Sequence, residues 1–216
     1  TLAGIAAVIA VTLALVMAYA VRLSGSPLAR FANRLAGMGY AVPGSVIAVG
    51  VLIPLANMDN ALDAWMRATF GISTGLILTG SIAGLVFAYL VRFMAVAINT
   101  VEASLAKVTP NMDAAARSLG HSKFATLLEV HAPIMRGSLL TAGLIVFVDV
   151  VKELPATLIM RPFNFDTLAI QAYRLASDER LAEASTASLM IVATALIPVI
   201  LLSRTIMASR RGHRPR

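Results

Sequence analysis

The segment 144–163 reads LIVFVDVVKELPATLIMRPF and places Asp149, Lys152 and Glu153 inside an otherwise apolar run. On a helix, offsets of three and four residues put these charges on one face. A charge at the centre of a bilayer costs about 2.5–3.5 kcal/mol on insertion scales, and such groups usually face a bundle interior or an aqueous cavity. One use is to line or gate a pathway for a solute. Carboxylate oxygens suit passing contact with a hard cation, so Asp149 and Glu153 are candidates for that contact. Lys152 beside them opposes a tight cation site, and no clustered His or carboxylate motif marks a resident metal. The other use is local: Lys152 pairs with Asp149 or Glu153 and orients the helix. Pro155 follows at once and weakens the helix there, as a moving gate requires.

Other chemistries fit the chain poorly. GISTG at 71–75 matches a Gly-x-Ser-x-Gly nucleophile pattern, which needs a strand-to-helix turn and a nearby His. Here it is read as opening a membrane helix, with His121, His131 and His213 in cytoplasmic parts. Gly71 with Gly75, and Gly80 with Gly84, instead have the spacing that lets a neighbouring helix approach closely. No Gly-x-x-x-x-Gly-Lys phosphate loop exists, because none of Lys107, Lys123 and Lys152 follows a Gly. The chain is therefore not an ATPase. With no Cys, thiolate and disulfide chemistry are excluded.

The elements that must position the charges are membrane spans. Of 216 residues, 58% are hydrophobic and 13% charged, with mean hydropathy +0.82, outside the balance of a soluble domain. Runs of about 18 or more apolar residues cross a bilayer as helices. They predict five spans, at about 1–21, 37–57, 71–92, 137–156 and 184–203. Pro43 and Pro54 are expected to kink the second, and 57–67, NMDNALDAWMR, is read as an outer loop. Thirteen of the 18 Lys and Arg fall in 22–34, 92–136 and 204–216. By the positive-inside rule these are cytoplasmic. The result is an outside N-terminus, a cytoplasmic loop at about 93–136 and a basic cytoplasmic tail at 204–216, all in one transmembrane domain over 1–216. Topology accounts for the net charge of +7, and nucleic acid is not an expected partner. Starting directly in a span, the chain reads as the interior of a longer protein. The segment 24–37 is expected to form a short amphipathic helix begun by Ser26 and Pro27. The outer segment 161–183 is long enough for another, and its mixed charges fit either a solvated face or a docking surface for an external protein.

The loop 93–136 contains DAAARSLGHSKFATLLEVHAP. Thr109 and Pro110 read as N-cap and first helical residue, Asp113 as a first-turn carboxylate, Gly120 as the stop, and a second short helix runs from Ser122 to the Pro133 boundary. This arrangement resembles the signature loop of inner-membrane permease subunits of binding-protein-dependent ABC importers. In that family Glu-Ala-Ala is followed by three residues, Gly, nine residues and Ile-x-Leu-Pro. Ala115, Ala116, Gly120 and Pro133 match at that spacing, while Val130 and Ala132 replace Ile and Leu. Ala114 stands at the Glu position, so the usual carboxylate contact to the ATPase is either missing or supplied by Asp113 from a rotated position.

The resemblance implies an all-α membrane protein with about five transmembrane helices and a cytoplasmic coupling-helix loop, the type I ABC importer permease fold, in a bacterial inner membrane. Asp113, Ala114, Ala115, Ala116, Gly120 and Pro133 would dock on the ATPase. The stretch 152–185 extends the resemblance to ferric iron permeases, whose C-terminal half this chain looks like. That implies cytoplasmic ATPase subunits holding ATP and Mg, a periplasmic binding protein, a homologous permease half and membrane lipid as partners, and no cofactor or catalysis on this chain. Thiamine, phosphonate or another small solute remains the alternative cargo. A passive membrane scaffold is the more distant reading.

Overall fold

The computed structural model describes residues 1–210. Among them there are helices and connecting turns and no strand, and five helices are long and apolar enough to cross a membrane. The helices are α1 (Leu2–Ser24), α2 (Pro27–Ala36), α3 (Gly44–Phe70), α4 (Ile82–Leu105), α5 (Pro110–Ser118), α6 (Lys123–Val151), α7 (Pro155–Met160), α8 (Leu168–Ser177) and α9 (Leu181–Arg210). The candidate spans are α1, α3, α4, α6 and most of α9.

The bundle is organised around α4, whose Leu85, Ala88, Tyr89, Phe93, Ala97 and Val101 are buried. Against it α1 turns a stripe of alanines, Ala3, Ala6, Ala7, Ala10, Ala14 and Ala18, at helical spacing. Small side chains let backbones approach closely where apolar driving force between helices is weak. Helix α6 completes this trio, and α9 is paired with α8 and more loosely with α6.

Several expected boundaries are corrected. The third span starts at Ile82, not at 71. Between α3 and α4 the chain makes a turn in which Gly71, Gly75 and Gly80 take φ of 68°, 62° and 70°, which stops a helix. The lost helical bonds are replaced by two carboxylates of α3. Asp63 Oδ1 accepts from the Thr74 and Gly75 backbone N–H (2.7 and 2.9 Å), and Asp59 accepts from Leu78 and Thr79 N–H (3.0 and 2.7 Å). Three of the four glycines of the two expected helix-packing pairs, Gly71, Gly75 and Gly80, are thus turn residues. Ser73 hydrogen-bonds Asp63 and Arg67, with no His in that network.

The second span begins at Gly44 behind Pro43 and runs through Phe70. It absorbs the expected outer loop 57–67, where Arg67 and Asp63 pair at i,i+4 (2.6 Å) on a continuous helix. The loop 93–136 shrinks from both ends, since α4 continues to Leu105 and α6 already starts at Lys123. The second short helix is the opening of α6, capped by Ser122, whose Oγ accepts from Ala125 N–H. Pro133 is no boundary. The turn before it, Thr126–His131, is π-helical, and α-helix resumes at Ala132. Proline has no N–H to give the carbonyl four residues back, and its ring crowds that carbonyl, so the helix widens rather than stops.

The fourth span starts far earlier than 137 and ends at Val151, short of 156. The last span runs from Leu181, and α9 continues through Arg210. Residues 211–216 of the expected basic tail, His213 among them, lie outside the described residues. The amphipathic helices expected at 24–37 and 161–183 are α2 and α8.

Candidate functional site

At one end of the bundle, α5 is held by its inner face. Arg22, closing α1, donates to the Leu105 and Val108 carbonyls (2.9 and 2.8 Å) and by Nε and Nη2 to Asp113 Oδ2 (3.1 and 2.7 Å). The other carboxylate oxygen of Asp113 lies 2.7 Å from Nε2 of His131, which is fully buried in the π-helical turn of α6. Tyr19 packs edge-on against His131 with ring centroids 5.4 Å apart, and its hydroxyl donates to the Lys123 carbonyl (2.8 Å). Asp113 thus ties α1, α5 and α6 together, and Arg22 carries the link on to the end of α4. Burial pushes its carboxyl up, but the Arg22 guanidinium and His131 more than offset this and hold it below the ordinary carboxylate value.

This geometry turns two of the expected docking residues toward the bundle. Asp113 is spent inside the chain, and Ala116 is 4% exposed. The face turned outward carries Ala114, Ala115, Arg117, Leu119 and Gly120. Leu119 and Phe124 are 78% and 69% exposed, apolar groups on the most polar connection of the chain. Gly120 takes φ 84° and closes α5 with a pair of bonds, Gly120 N–H to Arg117 O and His121 N–H to Ala116 O, both 3.0 Å. A side chain there meets open space but a left-handed backbone. Gly120→Leu is therefore expected to cost about 1–2 kcal/mol at that turn and to tilt α5 without touching the core. Far-UV circular dichroism should be unchanged while the thermal midpoint of the purified protein falls.

The charged triplet of the fourth span is divided. Helix α6 stops at Val151, so Asp149, Lys152 and Glu153 do not share a helical face. Lys152 Nζ pairs with Asp149 Oδ1 at 2.8 Å, the lysine mostly exposed and the aspartate buried. Asp149 Oδ2 is buried without a hydrogen-bond partner among the described residues. Glu153, 6% exposed, turns the other way. Its Oε2 is 3.2 Å from Arg92 Nε, and its Oε1 accepts from Ala156 N–H at 3.0 Å, capping α7.

Arg92 comes from the middle of α4 and also donates to the Val42 carbonyl at 3.3 Å, just before α3. Gly44 leaves room for this meeting, since a Cβ there would strike the Arg92 guanidinium and Glu153 Oε1. Below it, Thr157 Oγ1 donates to the Glu153 carbonyl (2.7 Å) and meets Tyr89 Oη (2.5 Å). The span is thus broken at 152–154, and the half-helix α7 lies between α3 and α4. Broken helices with charged groups at the break are how transporters expose backbone and side chains to a solute inside the bilayer.

Sequence reading missed Arg92, Arg22 and His131. Arg92 had a signal, as a guanidinium at the centre of an apolar run. Among the described residues no three His, Asp or Glu side chains converge as a metal site. In the segment 161–183 most charges are paired: Arg161 and Arg174 both meet Asp166 (2.6 and 3.2 Å), and Arg180 meets Glu183. Phe163 stands 94% exposed beside them.

No family model matches the chain. It is 28% identical over 203 residues, 94% of its length, to the Fe(3+)-transport system permease protein FbpB 2 of Haemophilus influenzae. It is 25% identical over 167 residues to a second Haemophilus influenzae protein, FbpB 1, whose name places it with ferric transport system permeases. The chain spans 37% of the first relative and 26% of the second. It is thus similar to these two ferric transport permeases, and its described residues form helices and turns with five helices long and apolar enough to cross a membrane, as in a multi-pass membrane protein.

Proposed function

From that similarity we propose that the chain is a permease unit of an ABC importer that moves ferric iron into the cytoplasm of a bacterium. The ion is delivered by a periplasmic binding protein, and the energy comes from ATP hydrolysed, with Mg, on separate subunits. The chain itself is not an enzyme and holds no cofactor; iron is cargo. The α5 end faces the cytoplasm, as does the C-terminus, and the loop of Phe163 faces outward. A homologous permease half completes the path, and that half and lipid cover the exposed apolar sides of α3 and α9.

The observation that carries this reading is the two-sided α5. Its inner face is bonded through Asp113 to two membrane helices, α1 and α6, and its outer face offers Ala115 and Leu119, with Phe124 nearby, to another protein. A short helix with an apolar face of small residues fits a groove on a partner. ATPase movement applied there passes through Asp113 and His131 into α6, at whose far end lie Asp149, Lys152 and Glu153. Glu153 and Asp149 are the groups proposed to meet the ion, Asp149 through its unpartnered oxygen and Glu153 when its pair with Arg92 opens.

Because the chain lacks Cys, docking is directly testable. Cysteines introduced singly at Ala115 and Leu119 are expected to cross-link to the ATPase subunit in the assembled transporter, and one at buried Ala116 is not. Cross-linking from Ala116 alone, or from none of the three, would contradict the docking face.

A further inference from the structure

A cavity at the same end of the bundle is unused by transport or docking. Helix α2 lies across this end, begun by Ser26, whose Oγ accepts from Leu28 N–H at 3.2 Å. One face of α2 exposes Leu28, Phe31 and Leu35 (74%, 63% and 58%) at i, i+3 and i+7. The opposite face carries Arg30, Asn33 and Arg34, which border a cavity of about 380 Å³ closed by the end of α1 and by Asn99 and Glu102 of α4.

The lining is unevenly satisfied. Neither Arg30 nor Arg34 has a carboxylate at ion-pair distance among the described residues. Asn33 is 5% exposed; its Nδ2 donates to Glu102 Oε1, while its buried Oδ1 has no partner among the described residues. The cavity therefore offers two guanidiniums for an anion and, across from them, a carboxylate and an amide oxygen that need a donor. An apolar stripe on the far side of the same helix needs hydrocarbon.

We propose that this cavity binds the headgroup of a phospholipid bearing a primary amine, phosphatidylethanolamine. Its phosphodiester lies between Arg30 and Arg34 and its ammonium donates to Glu102 and Asn33 Oδ1, while the far-side stripe of Leu28, Phe31 and Leu35 seats α2 among the acyl chains of the surrounding bilayer. Both charges of the zwitterion are matched. A choline headgroup cannot make the second contact, since its quaternary nitrogen carries no N–H. An amphipathic helix at a membrane surface with paired basic residues is suited to this use.

The test is native mass spectrometry of the complete permease purified in detergent and titrated with phosphatidylethanolamine, phosphatidylcholine or inorganic phosphate. One phosphatidylethanolamine is expected to bind about tenfold more tightly than phosphatidylcholine, and Glu102→Gln should remove that preference. Arg30→Ala with Arg34→Ala should weaken binding roughly thirtyfold, while Lys at both positions keeps most of it. The Lys pair and Glu102→Gln report on the site even if the Ala pair fails to fold. Equal retention of the two lipids, retention unaffected by the Ala pair, or displacement of lipid by inorganic phosphate at equal concentration would each overturn the assignment. So would cross-linking of α2's apolar face to a protein in place of lipid.

Discussion

Replacing Glu153 by Leu is expected to cost about 3–5 kcal/mol and to remove most of the assembled transporter from the membrane, because Arg92 is then left in the bundle without its counter-charge. Glu153 is 6% exposed and the Arg92 side chain 21%, so water does little to compensate. The loss also takes the cap from Ala156 N–H at the start of α7. Replacing both residues, Arg92→Leu with Glu153→Leu, removes the stranded charge and should restore the yield and most of the melting temperature of the purified protein. It should not restore uptake if the pair is also part of the pathway. A single Glu153→Leu variant that assembles and melts like the parent would remove the ion pair from the account. A transporting double variant would reduce it to a scaffold.

Asp113→Ala is expected to uncouple the transporter rather than dissolve it. Nothing on the outward face of α5 changes, so the ATPase still docks. What is lost is the carboxylate joining Arg22 and His131, at about 1–3 kcal/mol for the buried donors left unpaired. ATP hydrolysis should then persist while uptake falls about tenfold, the size of a typical coupling energy. The same residue sets a pH dependence. A carboxyl held below its ordinary value stabilises the fold fully above its unfolded pKa, and that stability is lost as pH falls through the lower folded value. The α5 anchor is thus intact at neutral pH and loosens only in acid, below about pH 4. Equal losses of hydrolysis and uptake in Asp113→Ala would mean that the residue serves docking itself.

The five spans were legible because apolar length is read directly by a bilayer and needs no tertiary knowledge. The start of the third was not, since residues 71–81 are as apolar in a turn as in a helix. What decides the matter is Asp59 and Asp63 on the preceding helix, reaching over to take the turn's N–H groups. The signature spacing located α5 and its Gly120 stop, yet periodicity alone does not say which side of so short a helix faces the bundle. Arg22 and His131, distant in sequence, turned Asp113 and Ala116 inward. The triplet at 149–153 was recognisable as charge in a costly place. Its division into Asp149 with Lys152, and Glu153 with Arg92, followed from the helix ending at Val151 and from a partner on α4. Arg92 itself had been read as the edge of a loop, because the third span was placed too early.

Passage of ferric iron is the activity proposed for this chain. It is tested most directly by ATP-dependent uptake of radiolabelled ferric iron in cells carrying the full transporter and its binding protein, compared with a matched strain lacking this permease. Uptake that requires the chain, and that collapses in Asp113→Ala while ATP hydrolysis continues, is the predicted result. Equal uptake in the two strains would contradict the claim, leaving a permease whose cargo is another solute.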